Sequence, residues 1–362
     1  MSDFEKLSAL MKADWNRRLR HDYRFWMSDG VSDDRVMWES GARDFGILCE
    51  GITFSGQESF LELGCGVGRL LASALKKCGR VIGVDVSEEA IKKAAELLPA
   101  DPKLQLIVGN GYNLSEVQSG SIDLAVSFAA ITSMPTDVIA NYLVELYRIL
   151  KPEGYMRLQI YLGEEQRLAH ADTLHLRCFK PENFKKGLEA AGFDIEWIKE
   201  LVLPFQVSFK EHGLETFIAS FRKSNRSPLH PNEISRLLLP LGESETEGNQ
   251  PISPIEFWMS YNYAKTLLEA GDFEKAREAV GFASDVCKAT ALDVSDLLQE
   301  IISEINKKEA AQAERKVLSV GVSFEGRPEI FEKNLKALKD AFPELAAQLQ
   351  DKCDEAAPEI QQ

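Results

Sequence analysis

The sequence predicts an α/β domain on a seven-stranded, mostly parallel sheet, with a helix before it and an all-α region after it. Three observations carry this expectation. From Ser59 to Phe221 short apolar runs alternate with helical segments, the pattern of strands joined by helical crossovers. The stretch LELGCGVGRL (Leu61–Leu70) puts three glycines where a strand turns into a helix. Beyond Pro254 apolar residues recur at three- and four-residue spacing, the signature of helices.

The first 30 residues read as an amphipathic helix rich in Arg, Trp and Tyr. Strands are expected at Phe60–Leu63, Arg80–Val84, Leu104–Val108, Ile122–Ser127, Gly154–Tyr161, Phe193–Leu201 and Leu214–Phe221. Helices are expected at Arg69–Lys77, Glu88–Leu98, Asp137–Leu150 and Pro181–Ala191. Ser87 suits an N-cap, with Glu88 and Glu89 at the positive end of the helix dipole. Lys151-Pro152 stops one helix, and Pro181 suits the first turn of another. The last two strands follow each other without a helix, which predicts an antiparallel pair at the sheet edge. Residues 223–253, with clustered Pro, Ser, Asn and Gly, read as a linker to a helical domain at 254–362.

Composition narrows the function classes. The 362 residues are 44% hydrophobic and 27% charged, ordinary for a globular protein, and long enough for two domains. No apolar run approaches the roughly 20 residues that cross a bilayer, and the N-terminus lacks a signal-peptide core. Six scattered cysteines without a CxxC pair argue against a zinc site, so no metal is expected, and fit a reducing cytoplasm. A formal charge of −15 disfavours non-specific binding to nucleic acid.

The glycine loop carries the chemistry. Gly64, Gly66 and Gly68 allow a ligand to approach backbone closely, and the following helix start offers free N–H groups. Asp85 ends the next strand, where a carboxylate accepts hydrogen bonds from both ribose hydroxyls. Either a dinucleotide or a nucleoside fits so far. A dinucleotide fingerprint needs a glycine where Arg69 stands. Glu62, two residues before Gly64, suits a ligand with an ammonium group better than a pyrophosphate.

The order E-x-G-x-G-x-G resembles the first motif of the class I S-adenosylmethionine-dependent methyltransferases, which have a Rossmann-like fold. The resemblance continues through VIGVDVS, VGNGYNL (Val108–Leu114), SIDLAVSFAAITSM and LYRILKPEGYMRLQI. It covers about residues 40–222, making 1–222 a methyltransferase domain with a helical cap over residues 1–40. It implies S-adenosylmethionine as cofactor. Gly64, Cys65, Gly66 and Gly68 would wrap the methionine part; Glu62 either orders the ammonium end or buttresses the turn. Asp85 would take the ribose hydroxyls, and Val86 the adenine. Asn110 stands where the family often has Asp, Gly111 lets the purine approach, and Ser127 and Phe128 lie beside the sulfonium.

For the acceptor, no Asn-Pro-Pro-Tyr or Asp-Pro-Pro-Tyr follows strand four, which counts against a base amine. Two regions are candidates. ADWNRRLRHDYRFWM interleaves aromatic and basic residues; Trp15, Arg18 and Tyr23 suit an anionic sugar, phosphate or RNA, and a solvated basic helix face explains them equally well. GEEQRLAHADTLHLRCF offers His170 and His175 as general bases and Arg177 as an anion clamp. The expected reaction is O-methylation of a sugar, glycan or other small polar acceptor. The alternatives are an RNA or protein acceptor, or a catalytically weak scaffold in a glycan-modifying complex.

The C-terminal region adds two resemblances. NYAKTLLEAGDFEKAREAV resembles one tetratricopeptide-type helix pair, expected to pack on other helices of this chain or on a protein partner. GRPEIFEKNLKALKDAFPELAAQLQ (Gly326–Gln350) resembles the opening of motility accessory factor proteins, which are associated with flagellin glycosylation.

Overall fold

The computed structural model describes residues 3–28, 32–163, 177–201, 215–238, 254–290 and 294–322. It divides into two compact units, Met1–Met259 with Lys288–Ala291, and Ser260–Cys287 with Leu292–Gln362.

The first unit opens with α1 (Asp3–Met27) and α2 (Asp34–Leu48). The alternation follows: β1 (Ser59–Leu63), α3 (Leu71–Ala74), β2 (Arg80–Asp85), α4 (Glu88–Leu97), β3 (Leu104–Val108), β4 (Ile122–Ser127), α5 (Thr136–Ile149), β5 (Leu150–Leu162), β6 (Cys178–Phe179), α6 (Pro181–Ala190), β7 (Phe193–Glu200) and β8 (Glu215–Lys223). The strands lie in the order β3-β2-β1-β4-β5-β8-β7, with β6 beside β5. The first five are parallel, and β8 runs antiparallel to both β5 and β7. All seven expected strands are present, with the antiparallel pair at the edge. The eighth, β6, has only two residues and leaves no periodic signal.

Side-chain alternation explains why both faces are covered. Leu61 and Leu63 enter the layer formed with α5 and α6, while Phe60 faces the opposite layer with α2 and α3. A strand apolar on both sides must be sandwiched between helices, and those helices are the crossovers that parallel pairing needs. Buried Arg157 on β5 joins α2 to the sheet by donating to the carbonyls of Leu48 (2.8 Å) and Glu50 (2.7 Å), which the helix end leaves unpaired.

Two differences from the sequence expectation have local causes. The expected cap holds two helices; Asp33 caps α2 by accepting the Val36 N–H at 2.9 Å. The expected linker contains a helix, α7 (Pro231–Leu238), starting at Pro231. Its Ile234 and Leu238 are fully buried, with Leu238 over the bare Cα of Gly187. The polar residues around it masked a two-turn amphipathic pattern.

The second unit takes in most of α8 (Pro254–Ala270), and α9 (Phe273–Thr290) and α10 (Ser295–Val322) follow. Gly271, at φ 77°, makes the α8–α9 turn. Ala264, Leu268, Ala276, Val280, Ile301 and Ile305 are buried, and Arg277 donates to Asn306 at 3.0 Å. Among the described residues no helix is long and apolar enough to cross a membrane. The segment expected to resemble motility accessory factors, 326–350, lies outside the described residues.

Candidate functional site

A cavity opens at the carboxyl ends of β1, β2 and β4, where open α/β sheets place ligands. The glycine loop forms its floor. Gly64, Gly66 and Gly68 have φ of 76°, 53° and 86°, a region that residues with a Cβ rarely adopt. Space requires glycine as well: a Cβ on Gly64 would lie 2.2 Å from the Ala130 Cβ, and one on Gly66 would lie 2.4 Å from the Met27 sulfur. Gly68 packs against Leu71 and Leu98, behind the cavity. Cys65 lines the cavity with a buried thiol.

Asp85 is tied to this loop. One carboxylate oxygen accepts the Gly66 N–H and the other the Ser87 N–H, both at 2.8 Å. Each oxygen keeps a lone pair for a further donor, the requirement for gripping two ribose hydroxyls. Burial pushes the Asp85 carboxyl up, and those N–H bonds work against the shift.

Glu62 is 2% exposed, and its Oε2 has no hydrogen-bond partner. Burial pushes its carboxyl well above the usual carboxylate range; nearby Arg69 opposes this, and Asp85 and Asp44 add to it. A buried acid with an idle oxygen in the cavity wall suits a cationic ligand group, because pairing would offset the cost of ionising it. Arg69 is anchored away from that oxygen by Ser40 (2.8 Å) and the buried Asp44 (3.0 Å). The bare Cα of Gly41 makes room for it on α2. The residues present thus fit S-adenosylmethionine: an acid for the ammonium, glycines for the methionine chain and Asp85 for the ribose.

Val86, Gly111 and Phe128 line the cavity. Asn110 does not line it. Its Oδ1 accepts the N–H groups of Tyr112 (3.1 Å) and Asn113 (2.9 Å), closing the turn that presents Gly111. Ser127 also acts from behind, donating to the Leu63 carbonyl at 3.0 Å.

The ceiling is α1, whose Met11, Trp15 and Leu19 line the cavity at four-residue spacing, with Trp26 and Met27 beyond. Polar bonds fasten it to the start of α4. Asn16 Oδ1 accepts from the Ser87 hydroxyl (2.7 Å) and the Glu89 N–H (3.3 Å), Arg20 pairs with Glu89 (2.9 Å), and Lys12 pairs with Glu88. Arg18 is fully buried, its guanidinium 4.9 Å from the Trp15 ring centre and 5.6 Å from that of Trp26. Tyr23 points elsewhere, bonding Asp34 at 3.0 Å. Arg177 donates to the carbonyls of Thr132 and Ser133, fixing the turn after β4. His170 and His175 lie outside the described residues.

Met11, Met27, Ser133, Met134 and Tyr142 also line the cavity without having been singled out in the sequence. The spacing of Met11, Trp15 and Leu19 was a legible signal for part of this set. The others come together only through the fold.

A glycine cradle, a strand-end carboxylate and a buried acid on this sheet define a nucleoside-cofactor enzyme of the α/β type. Comparisons with known proteins agree. Residues 61–158 match the family described as "Methyltransferase domain". An uncharacterized methyltransferase of Schizosaccharomyces pombe (strain 972) is 39% identical over 197 residues, 48% of this chain and 74% of that protein. A 2-methyl-6-phytyl-1,4-hydroquinone methyltransferase of Synechocystis sp. (strain PCC 6803) is 33% identical over 97 residues, 26% of this chain and 30% of that protein. Curated relatives are thus spanned unevenly, over 37%, 74% and 30% of their lengths in three cases. Phosphoethanolamine N-methyltransferase 1 of Haemonchus contortus shares the fold, with a TM-score of 0.51 at 16% identity over 66% of this chain and 54% of that one. The chain belongs to the S-adenosylmethionine-dependent methyltransferases of class I.

Proposed function

We propose that this methyltransferase acts on an oxygen of a small-molecule acceptor, the sugar or other small polar compound that the sequence suggests being the starting candidates. The observation that carries this reading is the enclosure of the cavity by α1. Met27 sits on Gly66, and Lys12, Asn16 and Arg20 are fastened to the first turn of α4. A folded protein or an RNA strand would have to displace that helix to reach the floor. An RNA acceptor would also call for a continuous basic face on residues 12–24. Instead Lys12, Arg17, Arg20 and Arg24 pair with Glu88, Asp14, Glu89 and Asp34, and Arg18 is buried. The relative named for a hydroquinone acceptor is a further support for a small molecule.

Bound S-adenosylmethionine supplies an already activated sulfonium methyl. The chain's own residues align it. Glu62 would hold the ammonium, Asp85 the ribose and Gly111 the purine face, and Phe128 and Ala129 line the cavity on the side open to the acceptor. Holding both partners in line replaces a bimolecular encounter with an effectively unimolecular step. A hydroxyl acceptor must also lose its proton, to water or to a side-chain base; His170 and His175 are the side-chain bases the sequence offers. For α8–α10 we propose docking of a protein partner.

The decisive experiment incubates the protein and cofactor with fractionated metabolites, glycans and RNA, and searches by mass spectrometry for products one methylene heavier. Products confined to a polymeric fraction would overturn the small-molecule reading.

A further inference from the structure

We propose that the acceptor is an uncharged aromatic alcohol whose ring lies against a fixed pair of tryptophans, Trp15 and Trp26. This rests on the cavity being a methyl-transfer site and adds the chemical class of the second substrate. With the cofactor-holding residues set aside, most of the rest of the described lining comes from α1 and from the segment after β4, including Trp15, Leu19, Trp26, Phe128 and Met134, with Leu63, Val84, Ala90 and Tyr142 completing it. No side chain of that remainder carries a charge. The charged residues of the described lining, Glu62, Arg69 and Asp85, all lie on the cofactor side. Burial pushes the Tyr142 phenol up, so it also stays neutral.

The two indoles are held from behind. The fully buried Arg18 guanidinium is within 5.6 Å of both ring centres, and Phe25 meets Trp26 edge-on at 4.8 Å. A cation shared by two rings fixes their planes before any ligand arrives. Preformed aromatic walls bind flat apolar rings at little entropic cost. A sugar meets the same wall poorly. Of the hydroxyls there, Ser133 already donates to the Ala130 carbonyl. Each sugar hydroxyl left without a partner costs roughly tenfold in affinity. The ring hydroxyl of an aromatic alcohol supplies the nucleophile. Its oxygen bonds to the methyl carbon as the carbon–sulfur bond breaks. That electron pair remains on sulfur and cancels its charge, and the hydroxyl proton passes to water.

The test uses the full chain saturated with S-adenosylhomocysteine, binding of that compound being verified first by calorimetry. 1-Naphthol and glucose are then titrated in parallel by saturation-transfer NMR. Naphthol is expected to bind at least about tenfold more tightly than glucose. Trp15→Ala should weaken naphthol about tenfold, Trp15→Phe should restore most of the affinity, and S-adenosylhomocysteine binding should be unmoved in both. With labelled S-adenosylmethionine, the expected product is the naphthyl methyl ether. Glucose binding as well as naphthol, or naphthol affinity unchanged in Trp15→Ala, overturns the aromatic acceptor and leaves the methyltransferase standing. Failure of S-adenosylhomocysteine to bind the parent protein overturns both.

Discussion

Gln159 on β5 holds Ala129 at the end of β4: its Oε1 accepts the Ala129 N–H at 2.8 Å, and Ala129 sits at φ 53°. A left-handed alanine is strained by about 1–2 kcal/mol, so something must hold it there. Gln159 is buried, and Ala130, the next residue, fills the space beside Gly64. The corner between cofactor floor and acceptor wall is therefore fixed from two sides. Gln159→Leu should leave the Ala129 N–H without its side-chain partner, lowering stability by about 0.5–1.5 kcal/mol in urea unfolding and speeding amide exchange across 128–131. Gln159→Glu keeps an acceptor oxygen and should restore the slow exchange. Unchanged exchange in Gln159→Leu would show that this bond does not hold the corner.

Removing the Asp85 carboxylate should cost at least about tenfold in S-adenosylmethionine affinity, some 1.4 kcal/mol, the scale of a lost charge-assisted hydrogen-bond pair. Asp85→Ala also frees the Gly66 and Ser87 N–H groups that it now accepts. Asp85→Asn keeps one acceptor and should fall between parent and alanine variant. Equal calorimetric affinities across the three proteins would exclude Asp85 from the site.

Glu62 sets a pH dependence for cofactor binding. Its carboxyl is raised in the free protein, chiefly by burial. A cation beside it would favour the ionised form and lower that value. The complex then holds fewer protons than the free protein, so binding should release protons and tighten as pH rises through the free protein's carboxyl titration. Calorimetry in two buffers of different ionisation enthalpy measures the release. Glu62→Gln should abolish it while the pH-independent part of the affinity persists. Proton uptake would reverse the assignment.

Much of this was legible in sequence, and the limits have physical causes. The loop announced itself because three alternating glycines make folding costlier in backbone entropy, a cost tolerated where a ligand must come close to the chain. Asp85 announced itself because a strand ends there in a carboxylate. The roles of Asn110 and Ser127 were not legible. Both are short polar side chains, and only the fold shows that Asn110 serves the backbone of its own turn and Ser127 the Leu63 carbonyl of the neighbouring strand. Arg18 was mistaken in character for the same reason: among its charged neighbours, nothing in the order of letters says which guanidinium is buried between indoles. Helix α7 was hidden by the polar residues that flank Ile234 and Leu238.

The fastening of α1 should control how long cofactor stays. Asn16 accepts from two groups at the start of α4, including the Ser87 hydroxyl that itself caps the helix through the Ala90 N–H at 3.1 Å. Asn16→Ala should speed dissociation of S-adenosylhomocysteine by roughly three- to tenfold, the worth of about one net hydrogen bond. The Lys12–Glu88 and Arg20–Glu89 pairs are more exposed, and their contribution should shrink as salt rises. Stopped-flow dissociation rates at low and high salt separate the two. A rate indifferent to both would mean that α1 does not gate release.

The buried thiols make a final prediction. Burial pushes Cys49, Cys78 and Cys178 up to about 12, and Cys65 well above the ordinary thiol range. The thiolate is the reactive form, so at pH 8 these positions should react roughly a thousandfold more slowly than free thiols, even before access is counted. Peptide mapping after alkylation of the native protein should find all four unlabelled, and urea should expose them together. The same shifts bear on stability. From about pH 9, where the unfolded thiols lose protons, to about 12, where the folded ones follow, the native state holds more protons than the unfolded state. Stability must therefore fall as pH rises through that window. The urea midpoint should be lower at pH 10 than at pH 8, and replacing Cys49 and Cys178 by alanine should flatten that slope.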